Sequence, residues 1–92
     1  MIVSFRHKGL KLLHEKSDRS KIRADLVDKV ERLLSLLEQA EQPEDVDLPG
    51  CGLHSLKGNL KGLWSLTVSR NHRIVFRMAG RNVCDVDLID YH

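Results

Sequence analysis

Apolar residues recur along this chain with two different periods, and the change of period divides it. From about Lys21 to Glu41 the positions Ile22, Leu26, Val30, Leu33, Leu37 and Ala40 follow each other by three or four residues. That spacing keeps side chains on one face of an α-helix. The other face carries Arg23, Lys29, Arg32 and Glu38, while Leu34 and Leu36 widen the apolar surface beyond a narrow stripe, enough to offer some of it to a partner. Upstream, Leu10, Leu12 and Leu13 within His7 to Lys16 predict a shorter amphipathic helix, stopped near Ser17-Asp18, whose side chains favour caps and turns. Ahead of it, Ile2-Val3-Ser4-Phe5 alternates as a short strand that would join a sheet formed later in the chain.

Gln42-Pro43-Glu44-Asp45 ends the long helix, and Asp47-Leu48-Pro49-Gly50-Cys51-Gly52 reads as a loop. Beyond it the period falls to two. Leu53 to Lys57 predicts a short strand, Gly58 to Gly62 a turn, and Leu63 to Ser69 a strand with Trp64, Leu66 and Val68 opposite Ser65 and Thr67. Arg70-Asn71 suits a tight hairpin, because Asn tolerates the left-handed conformation such turns need. His72 to Met78 returns with Ile74, Phe76 and Met78 on one side and Arg73, Val75 and Arg77 on the other. After a turn at Ala79-Gly80-Arg81-Asn82, Val83 to Ile89 closes the sheet, with Cys84, Val86 and Leu88 opposite Asp85 and Asp87. This order predicts a single α+β domain over residues 1–92: an N-terminal strand, two helices, then three to four mainly antiparallel strands. The helices would cover one sheet face and leave the other open.

Composition adjusts this picture in two respects. With 41% hydrophobic but only 4% aromatic residues, the core must be mainly aliphatic. No apolar run approaches the ~18–20 residues that cross a bilayer, and Met1 leads into charged residues rather than a signal segment, so a soluble, cytoplasmic protein with no membrane partner is expected. Cys51 and Cys84 stand far apart and form no C-x-x-C, which favours reduced thiols. Cys51-x-x-His54, with Cys84 or His92, is too loose an assembly to predict a metal site.

The net charge of +2 hides a segregation that matters more. Between Asp47 and Asp85 there is no carboxylate, yet the stretch holds Lys57, Lys61, Arg70, Arg73, Arg77 and Arg81. A polyanion responds to the local field of one surface, not to the total, so this stretch suits a phosphate backbone. Bases alternating with apolar residues also keep a sheet edge soluble, and charge alone weighs the two readings evenly.

Reactive side chains gather at His54 with Lys57, at the hairpin Arg70 to Arg73, and at the terminal Asp90-Tyr91-His92. Cutting RNA without a metal needs a base for the 2′-OH proton, a cation for the phosphorane charge and an acid for the departing 5′ oxygen. Histidine titrates near neutrality and suits proton transfer at His54 or His92. Arg73 and Lys57 carry positive charge, and Tyr91 can donate a proton or stack on an unpaired base. Each has an ordinary explanation too. A lone strand histidine is more often simply hydrogen-bonded, chain ends fray by default, Trp64 is most simply core, and Lys61 and Arg81 are turn residues in water.

These same residues carry a resemblance. Leu53-His54-Ser55-Leu56-Lys57-Gly58, Gly62-Leu63-Trp64-Ser65-Leu66-Thr67-Val68, Asn71-His72-Arg73-Ile74-Val75-Phe76 and the final Asp90-Tyr91-His92 resemble HigB-type toxins of the RelE/ParE superfamily, as does the opening Met1 to Leu10. The resemblance implies a small RelE/ParE-like fold and a toxin of a type II toxin–antitoxin system. Such a toxin cleaves messenger RNA in the ribosomal A site, beside small-subunit ribosomal RNA, without metal or cofactor, and is neutralised by a HigA-type antitoxin. Carried over by position, His54, Lys57, Arg73, Asp90, Tyr91 and His92 fall on the family's active surface, with Lys61, Arg70, Arg77 and Arg81 as expected nucleic-acid contacts. The chain departs from the pattern at His72, where relatives commonly have Trp, and at Ser69, where some have Arg and this chain places Arg70 one step later. ParE-like members use the same fold to inhibit DNA gyrase, which makes gyrase inhibition the alternative function.

Overall fold

The first helix, α1 (Lys8–Lys16), starts and stops through local hydrogen bonds. His7 accepts the Leu10 N–H at its Nδ1, 3.1 Å away, so an imidazole occupies the N-cap position usually held by Ser, Thr, Asp or Asn. At the other end Ser17 adopts the left-handed conformation (φ 56°) and its N–H, with that of Asp18, closes on the carbonyls of Leu13 and Leu12. The computed structural model of the protein describes residues 1–90.

The second helix, α2 (Val27–Gln39), is shorter than the periodicity predicts. Asp18 accepts both the N–H and the hydroxyl of Ser20, and the bonds from Ile22 to Arg19 and from Leu26 to Arg23 span three residues. Polar side chains here give the backbone partners that compete with a helix. Ile22 and Leu26 are nonetheless buried, along with Val30, Leu33, Leu37 and Ala40. The spacing identified the buried residues correctly but not the conformation that buries the first two. Leu34 is buried as well, and Leu36 packs against the core partly covered.

Four antiparallel strands follow in spatial order β1-β2-β3-β4: β1 (His54–Ser55), β2 (Trp64–Thr67), β3 (His72–Ala79) and β4 (Asn82–Asp90). β1 is briefer than expected because the chain turns away into a 3₁₀ turn at Gly58–Leu60. Gly52 brings β1's approach close to β2: its φ is +61°, the Thr67 N–H donates to the Cys51 carbonyl at 2.8 Å, and a Cβ at Gly52 would stand 2.5 Å from Thr67 Oγ1. The N-terminal segment lies along β4 in parallel, through bridges of Ile2 with Val83 and of Phe5 with Val86, rather than as a continuous strand.

A bulge explains that interruption. Val75 pairs with Asp87 but Arg77 with Cys84, so β4 uses one residue more than β3 across this interval. Asp85 absorbs it at φ 54°, a conformation Asp tolerates better than most residues. Val83 and Val86 consequently both reach the core and are fully buried. Cys84 instead shares the open face with Asp87, contrary to the strict alternation read from the sequence, because the extra residue shifts the facing of everything before it. The core between helices and sheet is aliphatic around one aromatic ring, Phe76, with Leu10, Leu33, Leu37, Leu66 and Ile74 among its fully buried members.

Asp85 also ties three elements together. Its N–H donates to Ser4 Oγ at 2.8 Å, and its carboxylate accepts from Arg77 Nε at 2.7 Å. The Arg77 guanidinium holds the Asp85 carboxyl below the usual carboxylate range, with the Ser4 hydroxyl and the Arg6 charge acting in the same direction. A lowered folded-state pKa contributes stability above the unfolded value of ~3.9 and loses it as pH falls through the folded value. The Asp85→Asn variant should therefore melt below the parent at pH 6–7, and the two melting curves should converge as pH falls below ~4. Differential scanning fluorimetry across that range checks it; a gap independent of pH would show that charge at Asp85 contributes nothing.

Candidate active site

Sheet register sets which candidate side chains can meet. His54 pairs with Ser65, Ser65 with Val75, and Val75 with Asp87, which makes one row across the face turned away from the helices. In the next row Thr67 pairs with Arg73 and Arg73 with Ile89. His54 and Arg73 thus emerge on the same open face, two strands and two residues apart, roughly 12 Å between backbones. His54 is exposed and Arg73 half-buried.

The Arg73 guanidinium is held by backbone before any substrate arrives. Its Nη1 donates to the carbonyls of Ser69 (2.6 Å), His72 (3.0 Å) and Arg70 (3.3 Å), all in the hairpin that joins β2 to β3. A planar fork anchored this way loses little freedom when it meets an anion. In the same hairpin Ser69 Oγ and His72 Nδ1 are 2.9 Å apart. The two positions at which the sequence departs from the toxin pattern therefore contact each other, a coupling that spacing along the chain does not reveal. Arg70 stands exposed at the hairpin tip, where its backbone carbonyl supports Arg73.

At the far side of β3, His72 pairs with Asp90, which brings the carboxyl end of β4 beside the Arg73 hairpin. Asp90 is exposed and is the last described residue; Tyr91 and His92 lie outside the described residues. The bend before α2 also reaches this corner. Arg23 clasps Asp25 through Nε and Nη2. The Arg23 guanidinium, in turn, holds the Asp25 carboxyl below its ordinary range, with the charge at His72 adding to it. Arg23 itself is raised first by Asp25, with a smaller part from Asp90. Read as solvated helix surface, Arg23 gave no signal in the sequence; the missing first turns of the helix are what carry it here.

Lys57 and Lys61 flank a hollow of about 310 Å³ between the β1–β2 connection and Trp64. Both lysines are exposed, and neither makes an ion pair among the described residues. Arg77 lies on the open face but is paired with Asp85. Arg81 occupies the β3–β4 turn, at the opposite end of those strands from Arg73, with Glu41 3.7 Å away. The structure thus brings His54 and Arg73 onto one face, with Arg70 at the hairpin tip; Asp90 shares the facing of Ile74 and Leu88, Lys57 and Lys61 line their own hollow beside Trp64, and Arg81 stands apart. Cys51 and Cys84 are buried free thiols. Among the described residues no three His, Cys, Asp or Glu side chains stand close enough to share a metal ion, and no helix is long and apolar enough to cross a membrane.

An imidazole and a backbone-anchored guanidinium on one sheet face can bind a phosphodiester and move protons beside it. Known proteins share this frame. The family model of the RelE-like toxin of the type II toxin–antitoxin system HigB matches residues 3–92. The endoribonuclease HigB of Proteus vulgaris is 39% identical over 92 residues, covering 100% of both chains. Toxin HigB-1 of Vibrio cholerae is 30% identical over 79 residues, 84% of this chain and 83% of that one. Among solved structures, the heterotetrameric YoeB–YefM toxin–antitoxin complex of Staphylococcus aureus contains a chain that superposes with a TM-score of 0.63 at 18% identity, covering 100% of this chain and 98% of that one.

Proposed function

This chain belongs to the HigB-like family of RelE-like toxins from type II toxin–antitoxin systems, and on that premise we propose that it cuts messenger RNA in the A site of the ribosome. It is an endoribonuclease toxin, and its partner is an antitoxin. The finer reading, a HigA-type antitoxin, cytoplasmic action, and small-subunit ribosomal RNA as a docking partner, rests on the family's manner of working. The observation that supports cleavage most is the shared open face of His54 and Arg73.

In the proposed mechanism, a base takes the proton of the 2′-OH, and that oxygen attacks the adjacent phosphorus. The bond to the 5′ oxygen breaks as an acid returns a proton to it, which leaves a 2′,3′-cyclic phosphate and a 5′-OH. His54 and His92 supply the two proton transfers. Arg73 and Lys57 stabilise the phosphorane because their charge is in place before it forms, Arg73 by its three carbonyl contacts. Asp90 orients its neighbours, Tyr91 stacks on a base, and Lys61, Arg70 and Arg77 contact phosphates of the message or of ribosomal RNA.

Induced expression followed by primer extension on translated messages tests this. New 5′ ends in phase with the reading frame, absent from untranslated copies of the same message, are expected. Intact messages together with inhibited supercoiling by purified gyrase would replace this reading with the alternative.

A further inference from the structure

The hairpin that carries Arg73 is not closed by its backbone conformation. Short loops between antiparallel strands usually hold one or two residues at positive φ, whose twist matches that of the strands they join. Among the described residues other than glycine, only Ser17 and Asp85 take positive φ, so Asn71 does not use the left-handed conformation its residue type allows. Something else must hold this loop shut.

Ser69 and His72 do so. The His72 carbonyl accepts the Val68 N–H at 3.0 Å and the Ser69 N–H at 3.2 Å. Ser69 Oγ and His72 Nδ1 lie 2.9 Å apart, so the side chains close the same span that the backbone closes. A hydroxyl can donate to a neutral imidazole nitrogen and accept from a protonated one, and the bond therefore survives either charge state of the ring. Both residues are half-buried.

The same two residues hold the guanidinium. Of the three carbonyls that accept from Arg73 Nη1, the two nearest belong to Ser69 (2.6 Å) and His72 (3.0 Å), with Arg70 at the tip supplying the third. Strand pairing of Arg73 with Thr67 and with Ile89 fixes its backbone independently of the loop. The loop therefore governs the far end of the side chain rather than the strand. A charge stabilises a phosphorane only if it is already directed there, and a displacement of about 1 Å can cost about 100-fold in rate.

We propose that Ser69 and His72 are positioning residues whose side-chain clamp closes the β2–β3 hairpin and thereby sets the aim of the Arg73 guanidinium at the scissile phosphate. The proposal rests on the endoribonuclease reading and deepens it. Neither side chain contacts the message; each acts through Arg73.

Ser69→Ala and His72→Leu remove the clamp, and His72→Asn restores it, because the Asn amide stands near the place of Nδ1 and can donate or accept. NMR spin relaxation at Arg73 Nε, on the purified chain without ribosomes, reads the aim directly. The parent and His72→Asn should show an order parameter of about 0.8, falling below about 0.6 in the two variants that lack the clamp. In single-turnover cleavage on programmed ribosomes, Ser69→Ala and His72→Leu should lower the maximal rate by about 10- to 100-fold at an unchanged half-saturating ribosome concentration. In an Arg73→Ala background the same substitutions should change the rate by less than about twofold, since their effect passes through the missing side chain. Ser69→Ala deletes a single oxygen, so it carries the test if His72→Leu disturbs the fold. Arg73 as ordered without the clamp as with it, an undiminished loss in the Arg73→Ala background, or equal losses from His72→Asn and His72→Leu would each overturn the clamp. A parent chain that cuts no message removes the endoribonuclease reading instead, and the relaxation data then decide the clamp by themselves.

Discussion

Replacing His54 with alanine is expected to slow cleavage of translated message by about 100- to 10,000-fold, the range contributed by a positioned proton-transfer group. The fold should barely register the change. His54 is exposed on a two-residue edge strand, and substitutions at such positions usually alter stability by less than about 0.5 kcal/mol. The measurement is a single-turnover time course of message cleavage on programmed ribosomes, paired with a melting curve. Arg73→Ala should cost about 100- to 1000-fold in the same assay, by removing a preorganised charge rather than a proton carrier. Combined with His54→Ala it should cost far less than the product, because groups acting on one transition state are not additive. A His54→Ala variant that cuts at the parent's rate would remove this residue from the chemistry and leave proton transfer to other groups.

Phe76→Ala should lower stability by about 3–5 kcal/mol. Phe76 is fully buried, pairs with Trp64 across the sheet, and is the largest side chain among the fully buried residues. Its strand partner on the other side is the bulged segment of β4, where Val86 and Asp85 already depart from regular pairing. That irregular backbone is poorly placed to collapse into the cavity. For a chain this size each kcal/mol moves the melting temperature by roughly 4–8 °C, and total stability is commonly ~5–15 kcal/mol. A drop of tens of degrees and partial unfolding at ambient temperature are expected, followed by urea titration. A loss below ~1 kcal/mol would mean that the core is not centred on this ring.

Much of the architecture was legible in advance because it depends on local spacing. The two helices, the change of period after Gly52, the hairpin at Arg70-Asn71 and the shared face of Arg73 and Arg77 all follow from which residues alternate with which. Composition correctly required an aliphatic core, which is built around a single phenylalanine. The open-face position of Arg73 was likewise readable, since alternation alone set it opposite Ile74 and Phe76, whereas His54 was legible by residue type and its facing follows only from its register with Ser65.

What failed to show was decided by specific side-chain contacts, some local and some between distant segments, that periodicity does not record. The start of α2 moved to Val27 because side chains around Asp18 and Ser20 compete for the backbone, although Ile22 and Leu26 are buried as their spacing required. The facing of Cys84 was misread because one additional residue at Asp85 inverts alternation, and its backbone conformation is held by Ser4 and Arg77 rather than by its neighbours in sequence. The Ser69–His72 contact, by contrast, lies within one hairpin turn, where side-chain chemistry rather than periodicity decides it.

Periodicity and residue type, by themselves, determined the elements of this protein, the composition of its core and the bases and imidazoles on offer to an anion. Tertiary structure alone decided which of those groups share a hollow. Spacing along a chain records which side of its own strand or helix a residue occupies, but the distance between two strands' side chains is set by register, and register here turns on a bulge pinned from eighty-one residues away.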